Sequence, residues 1–212
     1  MKNLSGWLFW NVDTQYDFVM PDGKLYVPGA ELLEEKWQKL TKIAKENSIP
    51  VVNTADFHYE NSKELSSNPD FVKTFPPHCM ANTAGAEYVS STQPENPVIF
   101  DWNKNYDILN YFAGNKVNRN IVVRKDAFDV FAGNPNTDAI VNGLSPETVI
   151  VYGVTTNVCV NDAVVGLASR VKNVIVIEDA IKELPNIPLP FENWKKLGVQ
   201  MIKLVELEKM MN

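Results

Sequence analysis

Five short apolar runs punctuate the chain, at residues 7–12, 49–54, 120–124, 148–152 and 174–177. Each is nearly continuous and rich in β-branched residues, the pattern of parallel strands covered on both faces. A sixth run, 199–205, lies near the C-terminus. Between them the spacing turns helical. Residues 30–46 carry Leu33, Trp37, Leu40, Ile43 and Ala44 on one face. Shorter helices are predicted at 138–143, stopped by Gly143, at 158–169 and at 191–197. Alternating strands and helices predict an α/β fold: a three-layer α/β/α sandwich around a mostly parallel, Rossmann-like sheet of six strands. Residues 59–118 break the pattern, being rich in Asn, Ser, Pro and Thr with weak periodicity. A segment of that length is expected to form functional loops, with one irregular helix near 107–112.

At 212 residues the chain suits one domain, 1–212, with a large core. The net charge of −6 argues against nucleic acid or an anionic membrane as partner, since both need clustered Lys and Arg. No run reaches membrane-spanning length, and no secretory-signal pattern opens the chain. Two cysteines make no disulfide framework. The expectation is a cytoplasmic protein whose thiols stay reduced.

In open α/β sheets ligands bind beyond the carboxyl ends of the strands. The first run ends at Asp13, the second leads to Asp56 and His58, and the third ends at Lys125. The fourth passes Gly153 and a small polar turn to reach Cys159. There a helix is predicted to begin, and its N-terminal N–H groups and partial positive charge favour a thiolate nucleophile. A buried, inert cysteine is the alternative. Lys125 nearby would lower the thiol pKa, unless it is an ordinary surface lysine. Asp13 would accept the thiol proton and return it to a leaving group. Asp17, four residues on, competes for that role, and either could be a turn former.

The only two histidines are His58 and His78. His58 follows Asp56 by two residues, so on an extended segment both side chains address one side. With His78 they could hold a divalent metal and leave positions open, as catalytic zinc sites do. Isolated polar residues are the plainer reading. Cys79 is taken as structural, because adjacent residues rarely both reach one ion.

Together these residues resemble the isochorismatase-like cysteine hydrolases, and within them the nicotinamidases. The matching pieces are residues 12–18 with 23–25, 54–58, 75–79 with 85–87, Arg124–Lys125, 153–160 and 178–180. The resemblance implies a catalytic triad of Asp13, Lys125 and Cys159, and a metal site of Asp56, His58 and His78, usually zinc, with iron or manganese also suited. It implies a cis peptide at Val154–Thr155 and an oxyanion hole from the N–H groups of Thr155 and Cys159. Phe18 and Phe75 match aromatic walls around a pyridine ring, although nicotinamidases usually carry Trp where Phe75 stands. Some nicotinamidases add a glutamate ligand, for which Glu64 is the nearest candidate. Two segments depart from the pattern. Residues 127–131 replace a Tyr-Ser-Ala-Phe-like segment, and Thr155-Thr156-Asn157 replaces Ala-Thr-Asp. Both flank the expected pocket.

The function so implied is nicotinamide hydrolysis to nicotinate and ammonia through a thioester on Cys159, a step of NAD salvage. The family's habit of assembling implies a homo-oligomer. Rival expectations are a hydrolase of the same fold acting on another small amide or ureido compound, and a metal-holding binding protein without turnover. An isochorismatase proper lacks the nucleophilic cysteine and, in its usual form, the metal ligands.

Overall fold

A computed structural model describes residues 4–114 and 117–211. Residues 1–3, part of the stretch in which a signal pattern is sought, lie outside the described residues, as do 115, 116 and 212. Seven parallel strands form one sheet in the order β3-β4-β2-β1-β5-β6-β7. They are β1 (Trp7–Val12), β2 (Val51–Asp56), β3 (Val98–Phe100), β4 (Asn120–Lys125), β5 (Thr148–Val154), β6 (Asn173–Lys182) and β7 (Gln200–Ile202). The helices are α1 (Tyr16–Val19), α2 (Glu34–Glu46), α3 (Ile108–Ala113), α4 (Val130–Gly133), α5 (Thr137–Leu144), α6 (Cys159–Ala168), α7 (Phe191–Lys196) and α8 (Leu204–Met211).

The expected α/β/α layering is present, and the strand count differs by one. The additional strand, β3, is a three-residue edge strand inside the region expected to be irregular. Only one of its residues is buried, so it carries no two-faced apolar signature. The C-terminal run is shorter than its apolar pattern predicts. It is strand only to Ile202, and after Lys203 the chain turns into α8, which buries Leu204 and Leu207.

Alternation along the central strands builds two cores. Leu8, Trp10 and Val12 face a layer made by α3 to α7, with Ile140, Val160, Val164 and Trp194. Phe9, Ile150 and Tyr152 face α2 and α8, with Trp37, Leu40 and Leu207. Each fully buried large side chain contributes about 1.5–3 kcal/mol. Trp37 also donates its indole N–H to the Ala180 carbonyl at 2.9 Å, which fixes α2 to the end of β6.

The topology then delivers the chemistry. β1 lies between β2 and β5, and β4 pairs with β2, so the ends of four neighbouring strands meet on one rim. Gly153 is essential to that meeting. Its φ is +122°, and a Cβ there would stand 2.1 Å from the Val12 carbonyl oxygen. Only glycine lets the end of β5 close onto the residue before Asp13.

Candidate active site

Asp13 ends β1 with a φ of +46°, which turns its carboxylate away from the strand direction. The buried Thr54 hydroxyl donates to its Oδ1 at 2.6 Å. Lys125, at the end of β4, is buried and reaches both Asp13 Oδ2, at 3.0 Å, and Asp56 Oδ1. The first contact is an ion pair with poor hydrogen-bond angles, so Asp13 Oδ2 keeps room for another donor. Lys125 Nζ also stands 3.7 Å from Cys159 Sγ, and Asp13, Asp56 and Cys159 gather their polar atoms within 4.8 Å of one another.

Cys159 is the first residue of α6, as expected. The Val154–Thr155 peptide before it is cis. The N–H groups of Thr156, Val158 and Val160 are spent on backbone carbonyls. Asn157 explains one departure from the family pattern. Its amide N–H groups donate to the Leu184 and Ile187 carbonyls at 2.8 and 2.9 Å, and its oxygen accepts the Leu184 N–H at 3.0 Å. An aspartate could not make those donations. The turn before Cys159 is thereby tied to the segment after β6.

Burial pushes Cys159 well above its ordinary value, the Lys125 ammonium opposes this, and Asp13 and Asp56 add to it. The net direction is up. Burial also raises Asp13, against the pull of Lys125. Asp56 is held well below the usual carboxylate range, because Lys125 and the two histidines outweigh its burial. Lys125 goes well up: Asp13 and Asp56 overcome the cost of burying its charge.

Beside this group stand Asp56, His58 and His78, all buried, with one ligand atom each inside a 4.8 Å span. The two Nε2 atoms lie 3.7 and 3.5 Å from Asp56 Oδ2. Those gaps are long for hydrogen bonds, and His58 Nε2 is a buried polar atom without a partner. Tetrahedral ligands at zinc distances lie about 3.4 Å apart. The three residues therefore fit one dication. The other acidic grouping, Asp13 with Asp56 and Cys159, already surrounds an ammonium and suits a metal less well. Both histidines use Nδ1 elsewhere, His78 on the Pro76 carbonyl at 2.8 Å and His58 on Asp126 at 2.8 Å. Burial pulls His58 down, but Asp56 and Asp126 outweigh it and raise it to about 9.

A narrow, tight cleft opens onto Cys159, Thr155, Asp56 and His78. Phe18 and Phe75 both line it, with Phe128 and Leu184. Phe75 meets Phe128 edge-on at 5.4 Å. The departing segment 127–131 contributes only Phe128. Phe131 points into the core, stacked on Trp10 and capped by Arg170.

Asp17, the rival acid, has a structural task. Its carboxylate accepts the N–H groups of Lys24 and Cys79, which anchors the loop carrying His78. Glu64 stands outside the three-ligand group: its Oε1 accepts the Phe128 N–H at 2.6 Å. Gln15 lies in a matching piece of sequence that suggests no role for it. It donates to the Asp56 and Ala86 carbonyls and accepts the Asp56 N–H, each at 2.8 Å, which clamps the backbone of Asp56. Sequence reasoning misses Asp126 and Leu184. Asp126 carries a usable signal, since it directly follows Lys125 at a strand end. Leu184 gives no local signal.

The family model described as the isochorismatase domain matches residues 8–187. A nicotinamidase/pyrazinamidase from Mycobacterium tuberculosis is 34% identical over 77 residues, which cover 36% of this chain and 40% of that protein. The match thus spans about two fifths of that relative's length. Pyrazinamidase of Pyrococcus horikoshii, solved in complex with zinc, aligns with a TM-score of 0.72 at 24% identity, covering 93% of this chain and 99% of the other. N-carbamoylsarcosine amidase from Thermoplasma acidophilum aligns with a TM-score of 0.70 at 20% identity, covering 93% and 96%. At these identities the structural likeness is one of fold. The family match extends through β1, β2, β4, β5 and the start of α6, the elements that carry the site, and the chain belongs to the isochorismatase family.

Proposed function

We propose that the protein is a cysteine-dependent amide hydrolase, with nicotinamide as its substrate. One observation carries the reading: a buried thiol, a buried ammonium and a buried carboxylate converge where Cys159 opens onto an aromatic-walled cleft, beside three residues whose ligand atoms could hold one metal ion. Cys159 must lose its thiol proton to attack the carboxamide carbon, and Asp13 takes it. Lys125 holds Asp13 in place and offsets the charge that builds beside it. The N–H groups of Thr155 and Cys159 receive the oxyanion, a donor of this kind being worth about 3 kcal/mol of barrier. Asp13 then protonates the departing ammonia, and later deprotonates the water that cleaves the Cys159 thioester.

Asp56, His58 and His78 would hold the metal. A dication bound there supplies a Lewis-acidic anchor for a ring nitrogen or a water. Phe18, Phe75 and Phe128 supply aromatic walls suited to a flat ring. The second reading is another small neutral amide, favoured by the replacement of the usual wall residues by Phe75 and Phe128. Among the described residues no helix is long and apolar enough to cross a membrane. The two free thiols suit the cytoplasm, and the family habit of assembling favours a homo-oligomer.

Ammonia release from purified protein decides between the readings. Turnover of nicotinamide supports the first. Turnover only of other neutral amides supports the second. No turnover of any amide, with zinc bound, leaves the metal-holding binding protein.

A further inference from the structure

The metal site contains a residue that neither the sequence pattern nor the proposed mechanism uses. Asp126 Oδ1 lies 2.8 Å from His58 Nδ1 and also accepts the Ser62 hydroxyl. Ser62 Oγ itself lies 3.1 Å from the same Nδ1. The Asp126 backbone is held independently, its N–H donating to the Gly133 carbonyl at 3.3 Å. The backbone of His58 is pinned as well, by the Cys79 carbonyl and the Ala81 N–H.

We infer that Asp126, working with Ser62, is a positioning residue that locks His58 in the tautomer and orientation needed to ligate the metal. A neutral imidazole carries one N–H and one lone pair, and it can ligate through Nε2 only if the proton sits on Nδ1. An ionised carboxylate accepts and cannot donate, so it enforces an N–H at Nδ1. A hydroxyl alone would not, because it can donate to Nδ1 and stabilise the wrong tautomer. Ser62 touches both Asp126 and His58 Nδ1, so its hydroxyl can donate to the carboxylate while turning a lone pair toward the imidazole. One carboxylate therefore fixes both neighbours. His78 needs no such device, since the Pro76 carbonyl can only accept. The end of β4 thus serves two centres with consecutive residues, Lys125 for the thiol and Asp126 for the metal site.

The inference rests on Asp56, His58 and His78 holding a metal, and the test separates the two claims. Zinc affinity is measured by chelator competition on wild type, Asp126→Ala, Asp126→Asn and Ser62→Ala. Wild type should bind one zinc per chain. Outer-shell partners of this kind change metal affinity by roughly 10–100-fold. Asp126→Ala should weaken binding by that factor, Asp126→Asn by an intermediate one, and Ser62→Ala by less than about threefold, because the carboxylate remains. The chain has only two histidines, so ¹⁵N imidazole spectra of the zinc-loaded protein are readily assigned. The His58 Nδ1–H signal should be present in wild type and lost to exchange in Asp126→Ala, with His78 unchanged. A wild type that binds no zinc overturns the metal site and this role together. Tight wild-type binding, with Asp126→Asn and any folded Asp126→Ala within about twofold of it, overturns the role of Asp126 alone.

Discussion

Replacing Thr54 by Val removes one hydrogen bond and almost nothing else. Thr54 and Asp13 are both fully buried, and the hydroxyl donates to Asp13 Oδ1 at 2.6 Å. The backbone carbonyl of Thr54 accepts the Asp13 N–H and the Tyr88 hydroxyl, and neither contact needs the side chain. A hydrogen bond to a charged group is worth about 1.5–3 kcal/mol. Its loss falls mainly on the ionised form of Asp13. At about 1.4 kcal/mol per pH unit this raises the Asp13 pKa by a further 1–2 units, roughly. Asp13 must be ionised to take the Cys159 proton. The acid limb of kcat/KM for ammonia release should therefore move up by about 1–2 pH units, with the high-pH plateau much less affected. Stability should follow the same sign. Asp13 is already raised in the folded protein, so its contribution is present in acid and lost as pH rises through its folded pKa. The variant raises that pKa further, so its deficit against wild type should be small in acid and grow with pH. An unmoved acid limb in a folded, zinc-binding Thr54→Val protein would refute the assignment of Asp13 as the base.

Three further outcomes rest on independent contacts. Lys125→Met leaves two buried carboxylates without their ammonium and should cost about 3–5 kcal/mol in urea unfolding, besides abolishing turnover; a loss under about 1 kcal/mol would contradict the pairing. Gly153→Ala forces a Cβ against the Val12 carbonyl at a φ unsuited to it and should lower the melting temperature by several degrees, about 2–4 °C per kcal/mol for a chain of this size; an unchanged melt would show that β5 need not approach β1 so closely. Glu64 is pushed up to about 7, burial being the main cause, with the Asp56 charge adding to it. Its stabilising contribution is complete below the unfolded value near 4.5 and disappears as pH rises through 7. Glu64→Gln should therefore gain stability relative to wild type as pH rises from about 4.5 to about 7, by roughly 2 kcal/mol after allowing for the group's partial solvation; parallel pH–stability curves over that range would rule that out.

The parts of the fold that are legible in the sequence are those whose burial is symmetrical. β1, β2, β4 and β5 are buried along nearly their whole length, so their runs stand out, and the residues that end them present themselves as site candidates from the sequence alone. The apolar run of β6 is shorter than the strand because Glu178 and Asp179 lie in it, where one is exposed and the other half-buried. β3 and the four-residue helices α1 and α4 are too short to show a period. Thr54, Ser62 and Asp126 matter through partners 41 to 68 residues away, and no spacing rule connects such positions. The sequence places Phe131 near the pocket with Phe128. The three-residue step between them leads into the short helix α4, whose packing turns Phe131 toward Trp10 and Gly166 instead. The direction of the Cys159 pKa is not legible from the helix start either, because it depends on burial and on two carboxylates brought in by other strands.

The central claim is that Cys159 forms a thioester with the acyl group of an amide. Acid-quenched protein, mixed with nicotinamide and digested, can be searched by mass spectrometry for that adduct. A nicotinoyl group should appear on the peptide containing Cys159 and be absent from Cys159→Ala, whose ammonia release should also be lost. Ammonia release by Cys159→Ala at the wild-type rate, with no acylated peptide in either protein, would contradict that claim.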